Sequence, residues 1–162
     1  MSGNPTVVIG IGNPYRSDDG IGPAAAAALE ELCLPDADVL AADGEPAALI
    51  EAWTGRELAV IIDAVRCEPS TPGRIWRSTA ADLDGGVPAA SSHALGIPDA
   101  LRLAQALGRV PGRLVVYAVE AARLDLGEGL SSEVSAALPP LLRAVLAELA
   151  DQARLDCAHL PG

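Results

Sequence analysis

A chain of 162 residues and 16.5 kDa suits one domain, which at that size buries roughly 70% of the surface its unfolded form exposes. Half the residues are hydrophobic, which excludes general disorder, yet aromatics make up 2% and Phe is absent, so the core must be built from Ala, Val, Leu and Ile. The formal charge is −11, Lys is absent and the arginines are scattered singly; no basic stripe exists, which argues against nucleic acid and anionic membrane surfaces as partners.

Thr6-Val7-Val8-Ile9-Gly10-Ile11 has the β-branched character of a strand buried on both faces. A loop with Pro14 follows, and Ser17 or Asp18 is placed to cap a helix through Ala24 to Leu32 that Pro35 ends. Val39 to Ala42 reads as a second strand closed by Asp43-Gly44, with Pro46 early in a helix reaching about Trp53. Leu58 to Ile62 is the most hydrophobic run, and the charge of Asp63 marks its polar end. Cys67 to Pro72 is too short for a crossover helix, so Arg74 to Arg77 should pair antiparallel at a sheet edge. After a Gly/Ala/Ser-rich loop, His93 to Leu107 has helical spacing and Gly108 as its stop. Leu114 to Val119 is a further strand. Ser131 to about Gln152 forms a long helix that Pro139-Pro140 should kink or interrupt.

Alternating strands and helices predict a three-layer α/β/α sandwich with a mostly parallel sheet of about five strands and one antiparallel edge strand. Residues 1–152 form the single domain, and 153–162 are expected as a frayed tail. The N-terminus lacks a basic signal region, and no apolar run approaches the roughly 20 residues of a bilayer span. Cys33, Cys67 and Cys157 form no C-x-x-C pair and leave an odd number, which fits a reducing compartment and makes the cytoplasm the expected location.

In an open parallel sheet, ligands bind outside the carboxyl ends of the strands. Asp18 and Asp19 follow the first strand, Asp43 the second and Asp63 the third, while His93 opens the helix after the edge strand. Carboxylates brought close repel and raise one another's pKa unless a cation relieves them. Ser91 or Ser92 capping the helix puts His93 in the first turn, where the helix dipole favours the neutral, metal-binding imidazole. A His with two carboxylates suits nickel or zinc with open coordination positions.

Other chemistries fit less well. Gly10-Ile11-Gly12 invites a dinucleotide reading, but Tyr15 occupies the third glycine position of G-x-G-x-x-G and the loop delivers two aspartates where phosphates would sit. No G-x-S-x-G elbow surrounds Ser91 or Ser92. Cys67 with His93 forms the alternative of a thiolate-imidazolium dyad, and Cys157 with His159 is a weak metal pair in the tail.

The run Gly10-Ile11-Gly12-Asn13-Pro14-Tyr15-Arg16-Ser17-Asp18-Asp19-Gly20-Ile21-Gly22 resembles the opening motif of hydrogenase maturation proteases. Ile61-Ile62-Asp63-Ala64, Ser92-His93-Ala94-Leu95-Gly96 and Gly129-Leu130-Ser131-Ser132-Glu133-Val134 resemble its later motifs in order, so the resemblance spans about Thr6 to Ala150. It implies a cytoplasmic, aspartic-type endopeptidase that removes the C-terminal extension of a [NiFe]-hydrogenase large-subunit precursor after nickel insertion. The family's metal-binding and catalytic acid, acid and histidine fall on Asp19, Asp63 and His93, toward nickel supplied by the precursor, with zinc or cadmium as substitutes in vitro. Asp18 or Asp43 is a candidate base, each with an alternative role as cap or turn former. Where many members have Asp-Gly-Gly-Thr, this chain has Asp43-Gly44-Glu45-Pro46, which bears on which hydrogenase is served. The alternatives are a non-catalytic metallocentre-binding chaperone and a small peptide hydrolase unrelated to hydrogenases.

Overall fold

The computed structural model describes residues 3–84 and 96–159. The apolar runs become strands β1 (Thr6–Ile11), β2 (Ala37–Ala42), β3 (Leu58–Val65), β4 (Ile75–Thr79) and β5 (Arg113–Glu120). They pair in the order β2-β1-β3-β5-β4, parallel except for β4, which runs antiparallel to β5 as the outer strand. The nine-residue link between β3 and β4 dictates this, because no helix fits in it to carry the chain back for a parallel pairing.

Side chains alternate across β1, β3 and β5, and each face carries its own core. On one face Val8, Val60, Ile62, Val115 and Val119 pack with Ile21 and Leu29 of α1 (Ile21–Glu30) and with Val134, Leu141 and Val145 of α5 (Ser132–Ala158). On the other, Val7, Ile9, Ile61 and Val116 meet Leu49 and Trp53 of α2 (Pro46–Trp53) and Ile97 and Leu101 of α4 (Gly96–Leu107). Each such buried aliphatic contributes about 1.5–3 kcal/mol relative to exposure, so the absence of Phe is compensated by number. The architecture is the expected three-layer sandwich.

The α1 helix lies unusually close to β1. A Cβ added at Gly10 would sit 2.1 Å from the Gly22 carbonyl oxygen, and one added at Gly22 would sit 2.1 Å from that of Ile11. Only hydrogen at both positions permits this contact.

Several local expectations are corrected. Neither Ser17 nor Asp18 caps α1: Ser17–Gly20 form a 3-10 turn of their own, Gly20 precedes α1, and no side chain caps either element. The β3 strand does not stop at Asp63, because β5 continues beside it and pairs Asp63 with Ala118 and Val65 with Glu120. A short helix, α3 (Ala80–Asp84), opens the stretch expected as loop; Thr79 donates its backbone N–H and its hydroxyl to Asp82 Oδ2 at 2.8 and 3.0 Å, closing the first turn. Pro139 and Pro140 lie within α5 without interrupting it, since Val134, Ala137, Leu141, Val145, Glu148 and Gln152 hold that helix by one buried stripe. The helix also continues to Ala158, so the segment expected as a frayed tail from Ala153 is helical that far; Gln152 donates to Asp156 across that last stretch. The α2 helix starts at Pro46 as expected, its N–H groups at Ala47 and Ala48 bonded by the Glu45 carboxylate.

Candidate active site

Two carboxylates meet at the carboxyl ends of β1 and β3. Asp63 is the sixth residue of β3 and lies on the face shared with Ala59 and Ile61, the side where α4 begins at Gly96. Asp19 comes from the 3-10 turn after β1. Its place is set by the backbone: a Cβ on Gly12 would sit 1.9 Å from the Asp19 carbonyl oxygen, and the Asn13 N–H donates to Asp19 Oδ2 at 2.8 Å. Both aspartates are buried, at 1% and 2% exposure.

Burial pushes the Asp63 carboxyl well above the ordinary carboxylate range, and the negative charge of Asp19 pushes it further the same way. The Ala64 N–H, donated to Asp63 Oδ1 at 2.8 Å, opposes this only in part. Two acids arranged so that one resists ionisation are a donor set for a divalent cation, which would remove the repulsion. Among the described residues no group of three His, Cys, Asp or Glu side chains converges. His93, with Ser91 and Ser92, lies outside the described residues.

The neighbouring acids have other tasks. Asp18 is fully buried and points away from the pair: its Oδ2 accepts from the Ala122 and Arg123 N–H groups and the Ser131 hydroxyl, and its Oδ1 from the Ser131 N–H at 2.7 Å. It fastens the β1–α1 loop to the β5–α5 loop, and Ser131 caps α5 through Val134 N–H. Asp43 is exposed and accepts from the Glu45 N–H at 3.1 Å, the Asx-type turn that its position suggested. Of the four acids placed on one rim by sequence, the structure brings Asp19 and Asp63 together, uses Asp18 to tie two distant loops and gives Asp43 a local turn.

Glu120, at the end of β5, escaped the sequence reading. It is 2% exposed, and its carboxylate accepts from the Thr71 N–H and from Trp76 Nε1, both at 3.1 Å. Burial alone would raise it, but these bonds and that of the Cys67 thiol outweigh burial and hold it below the ordinary range. The Cys67 thiol moves the other way, pushed up first by burial and then by the Glu120 carboxylate. A thiol held protonated by an adjacent anion is a poor nucleophile, which weighs against the Cys67/His93 dyad. Cys157 and His159 are both exposed on the last turn of α5 and just after it, with no third metal-binding side chain grouped with them among the described residues.

Comparison with known proteins identifies the fold and the family. The family model described as hydrogenase maturation protease matches residues 24–148, a span that includes Asp63 and begins after Asp19. The Hydrogenase 2 maturation protease of Escherichia coli K12 is 31% identical over 150 residues, covering 88% of this chain and 89% of that protein. Among solved structures, the hydrogenase maturating endopeptidase HybD from E. coli superimposes with a TM-score of 0.75 at 26% identity, covering 91% of this chain and 93% of that one. The [NiFe] hydrogenase maturation protease HybD from Thermococcus kodakarensis gives 0.72 at 27% identity over 90% and 98%. The five-stranded sheet with its single antiparallel edge is thus the fold of these endopeptidases, and the chain belongs to the hydrogenase maturation protease family of peptide hydrolases.

Proposed function

We propose that this protein removes the C-terminal extension of a [NiFe]-hydrogenase large-subunit precursor once nickel has been inserted, acting in the cytoplasm. The observation that carries the reading is the Asp19–Asp63 pair: two buried carboxylates at the carboxyl ends of adjacent parallel strands, one of them held well above its ordinary pKa by the other and by burial. Such a pair is costly in an isolated protein and useful toward a cation. No helix among the described residues is long and apolar enough to cross a membrane, in keeping with a substrate met in the aqueous phase.

Asp19 and Asp63, with His93, would hold the nickel that the precursor already carries. That ion supplies Lewis-acid polarisation of the scissile carbonyl or acidification of a bound water. The chain's own contribution is positional and electrostatic. Asn13 N–H orients the Asp19 carboxylate, Ala64 N–H orients that of Asp63, and the backbone contact at Gly12 prevents the Asp19 turn from retreating. Asp63 is raised by burial and by Asp19, and a cation held between the two carboxylates would favour its ionised form. The carboxylates would then serve as ligands at the carboxyl ends of β1 and β3, where the sheet is flanked by α1 and α5 on one face and α2 and α4 on the other.

The experiment is incubation with nickel-loaded and metal-free precursor, followed by intact-mass measurement of the precursor's C-terminus. Loss of the extension from the nickel-loaded form alone is the expected result. Equal processing of both forms would make the protein a peptidase that reads sequence rather than metal, and a precursor bound but left intact would make it a chaperone.

A further inference from the structure

Tyr15 and Leu126 are the two most exposed large apolar side chains among the described residues, at 63% and 80%. They belong to different loops, β1–α1 and β5–α5, yet those loops are clipped together. The Gly127 N–H donates to the Tyr15 carbonyl at 2.9 Å, the Ser17 N–H donates to the Gly127 carbonyl at 2.7 Å, and the Ser17 hydroxyl donates to the Asp125 carbonyl at 2.9 Å. Ser17 adopts a φ of 52° to make these bonds, a left-handed conformation disfavoured for any residue with a Cβ. The four bonds to Asp18 lock the same two loops from beneath. The exposure of both side chains is therefore mounted on rigid backbone, which lowers the entropy lost on binding.

The same two loops also supply Pro14 and Leu130 to a groove of about 330 Å³, whose other walls include Pro23 and Ala24 of α1. The exposed charges on the two loops, Arg16 and Arg123 against Asp125 and Glu128, cancel on a chain whose net charge is −11. An approaching protein meets the least repulsion here if it is itself acidic. The patch lies on the α1/α5 side of the sheet, on the loop that two residues after Ser17 presents Asp19, while Asp63 faces the α4 side. A partner that touches both must straddle the carboxyl ends of the strands, which a folded domain does and a short extension lying on one side does not.

We infer that Tyr15 and Leu126 dock the folded body of the precursor, through an apolar surface on it, and thereby set where its scissile segment lies relative to Asp19. This rests on the proposed function, and the test separates the two. Steady-state cleavage of nickel-loaded precursor is measured with the wild-type protein, Leu126→Ser, Tyr15→Ser/Leu126→Ser and the conservative Tyr15→Phe/Leu126→Met, alongside thermal melts and sedimentation of each protein alone. The expected result is a KM raised about tenfold or more in the double serine variant with kcat within about twofold, a smaller rise in Leu126→Ser, and near-wild-type values in the conservative variant. Unchanged KM in the serine variants overturns the inference, as does a fall in kcat alone, which would mean that the loop acts through Asp19. A wild-type dimer that the serine substitutions dissociate also overturns it, because the patch would then be an interface between copies of this chain. A wild-type protein that cleaves no precursor overturns the proposed function itself, and the inference with it. Leu126→Ser alone, on an exposed loop, keeps the test decisive if the double variant melts early.

Discussion

Two of the regions where this protein buries carboxylates treat them in opposite ways. On the α5 face of β4 and β5, Glu148 accepts from Arg77 at 2.9 and 3.1 Å, from Arg113 at 2.8 Å and from the Tyr117 hydroxyl at 2.9 Å, while Arg113 also reaches Gln152. The Arg77 bonds hold Glu148 below its ordinary pKa against the opposing effect of burial; Tyr117 is pushed up to about 12, by burial first and then by Glu148. At the carboxyl ends of β1 and β3, Asp63 faces a second acid in place of a guanidinium and is raised. Compensated burial fastens a helix to a sheet; uncompensated burial leaves electrostatic free energy that a cation can release. On the proposed function, the difference separates a structural network from the candidate site.

The largest expected effect separates the two regions by activity. Asp19→Asn and Asp63→Asn should each lower cleavage of nickel-loaded precursor by about 10³ or more while leaving the melting temperature unchanged or slightly higher, since each substitution removes like-charge repulsion. Calorimetry with nickel on the protein alone should show weak binding of one ion, lost in these variants and in His93→Ala. Binding that survives all three changes would break the assignment.

The mirror image is Glu148→Ala. Leaving Arg77, Arg113 and the Tyr117 hydroxyl without their acceptor should cost about 3 kcal/mol in urea denaturation, toward the low end for a broken buried pair because both arginines are partly exposed. Per folded molecule, cleavage should be intact. A variant as stable as wild type would show the network to be ornamental.

A finer test uses pH on the metal-free protein. Asp63 is raised in the fold, so between its ordinary value of 3.8 and its higher folded value the native state holds the proton more tightly, and stability falls as pH rises through that window. The stability deficit of wild type against Asp63→Asn should therefore widen as pH rises. Glu148 is lowered, so its contribution is complete above 4.5 and is lost as pH falls through its folded value. The advantage of wild type over Glu148→Ala should shrink in acid. Denaturation curves between about pH 3 and 7 that give the two differences the same sign would refute the contrast.

The smallest effect belongs to Cys67→Ser. With water as the nucleophile and the thiol held protonated beside Glu120, cleavage should change by no more than about threefold. Loss by several orders of magnitude with circular dichroism unchanged would restore the Cys67/His93 dyad.

The strands were legible because β-branched runs buried on both faces need no partner information to be recognised, and the antiparallel edge followed from the short link before it. What the sequence concealed was set by partners far along the chain. Asp18 bonds residues 104 to 113 positions away, so local pattern could offer only a cap or a base. Asp63 looked like a terminus because a one-dimensional run ends at a charge, whereas the ladder continues wherever the neighbouring strand does. Glu120 went unnoticed although the same signal, an acid closing an apolar run, marks it as well as it marks Asp63. A common rim for Asp19 and Asp63 was legible because ligands sit at the carboxyl ends of parallel strands, but which of the four acids on that rim meet was set by the order of the strands.

The contact of Gly10 with Gly22 has a consequence for how this protein tolerates change. An aliphatic core of Ala, Val, Leu and Ile can drift in composition, because methylenes gained in one layer are absorbed by shifts of neighbouring helices. Main chain resting on main chain has no such give. It acts as a datum from which the start of α1, and with it the turn bearing Asp19, is gauged against β1. Alanine at either glycine would bring a Cβ to 2.1 Å from a backbone oxygen and force the start of α1 away from β1, so the spacing of helix and strand beside the Asp19 turn is set by two residues with no side chains to contribute.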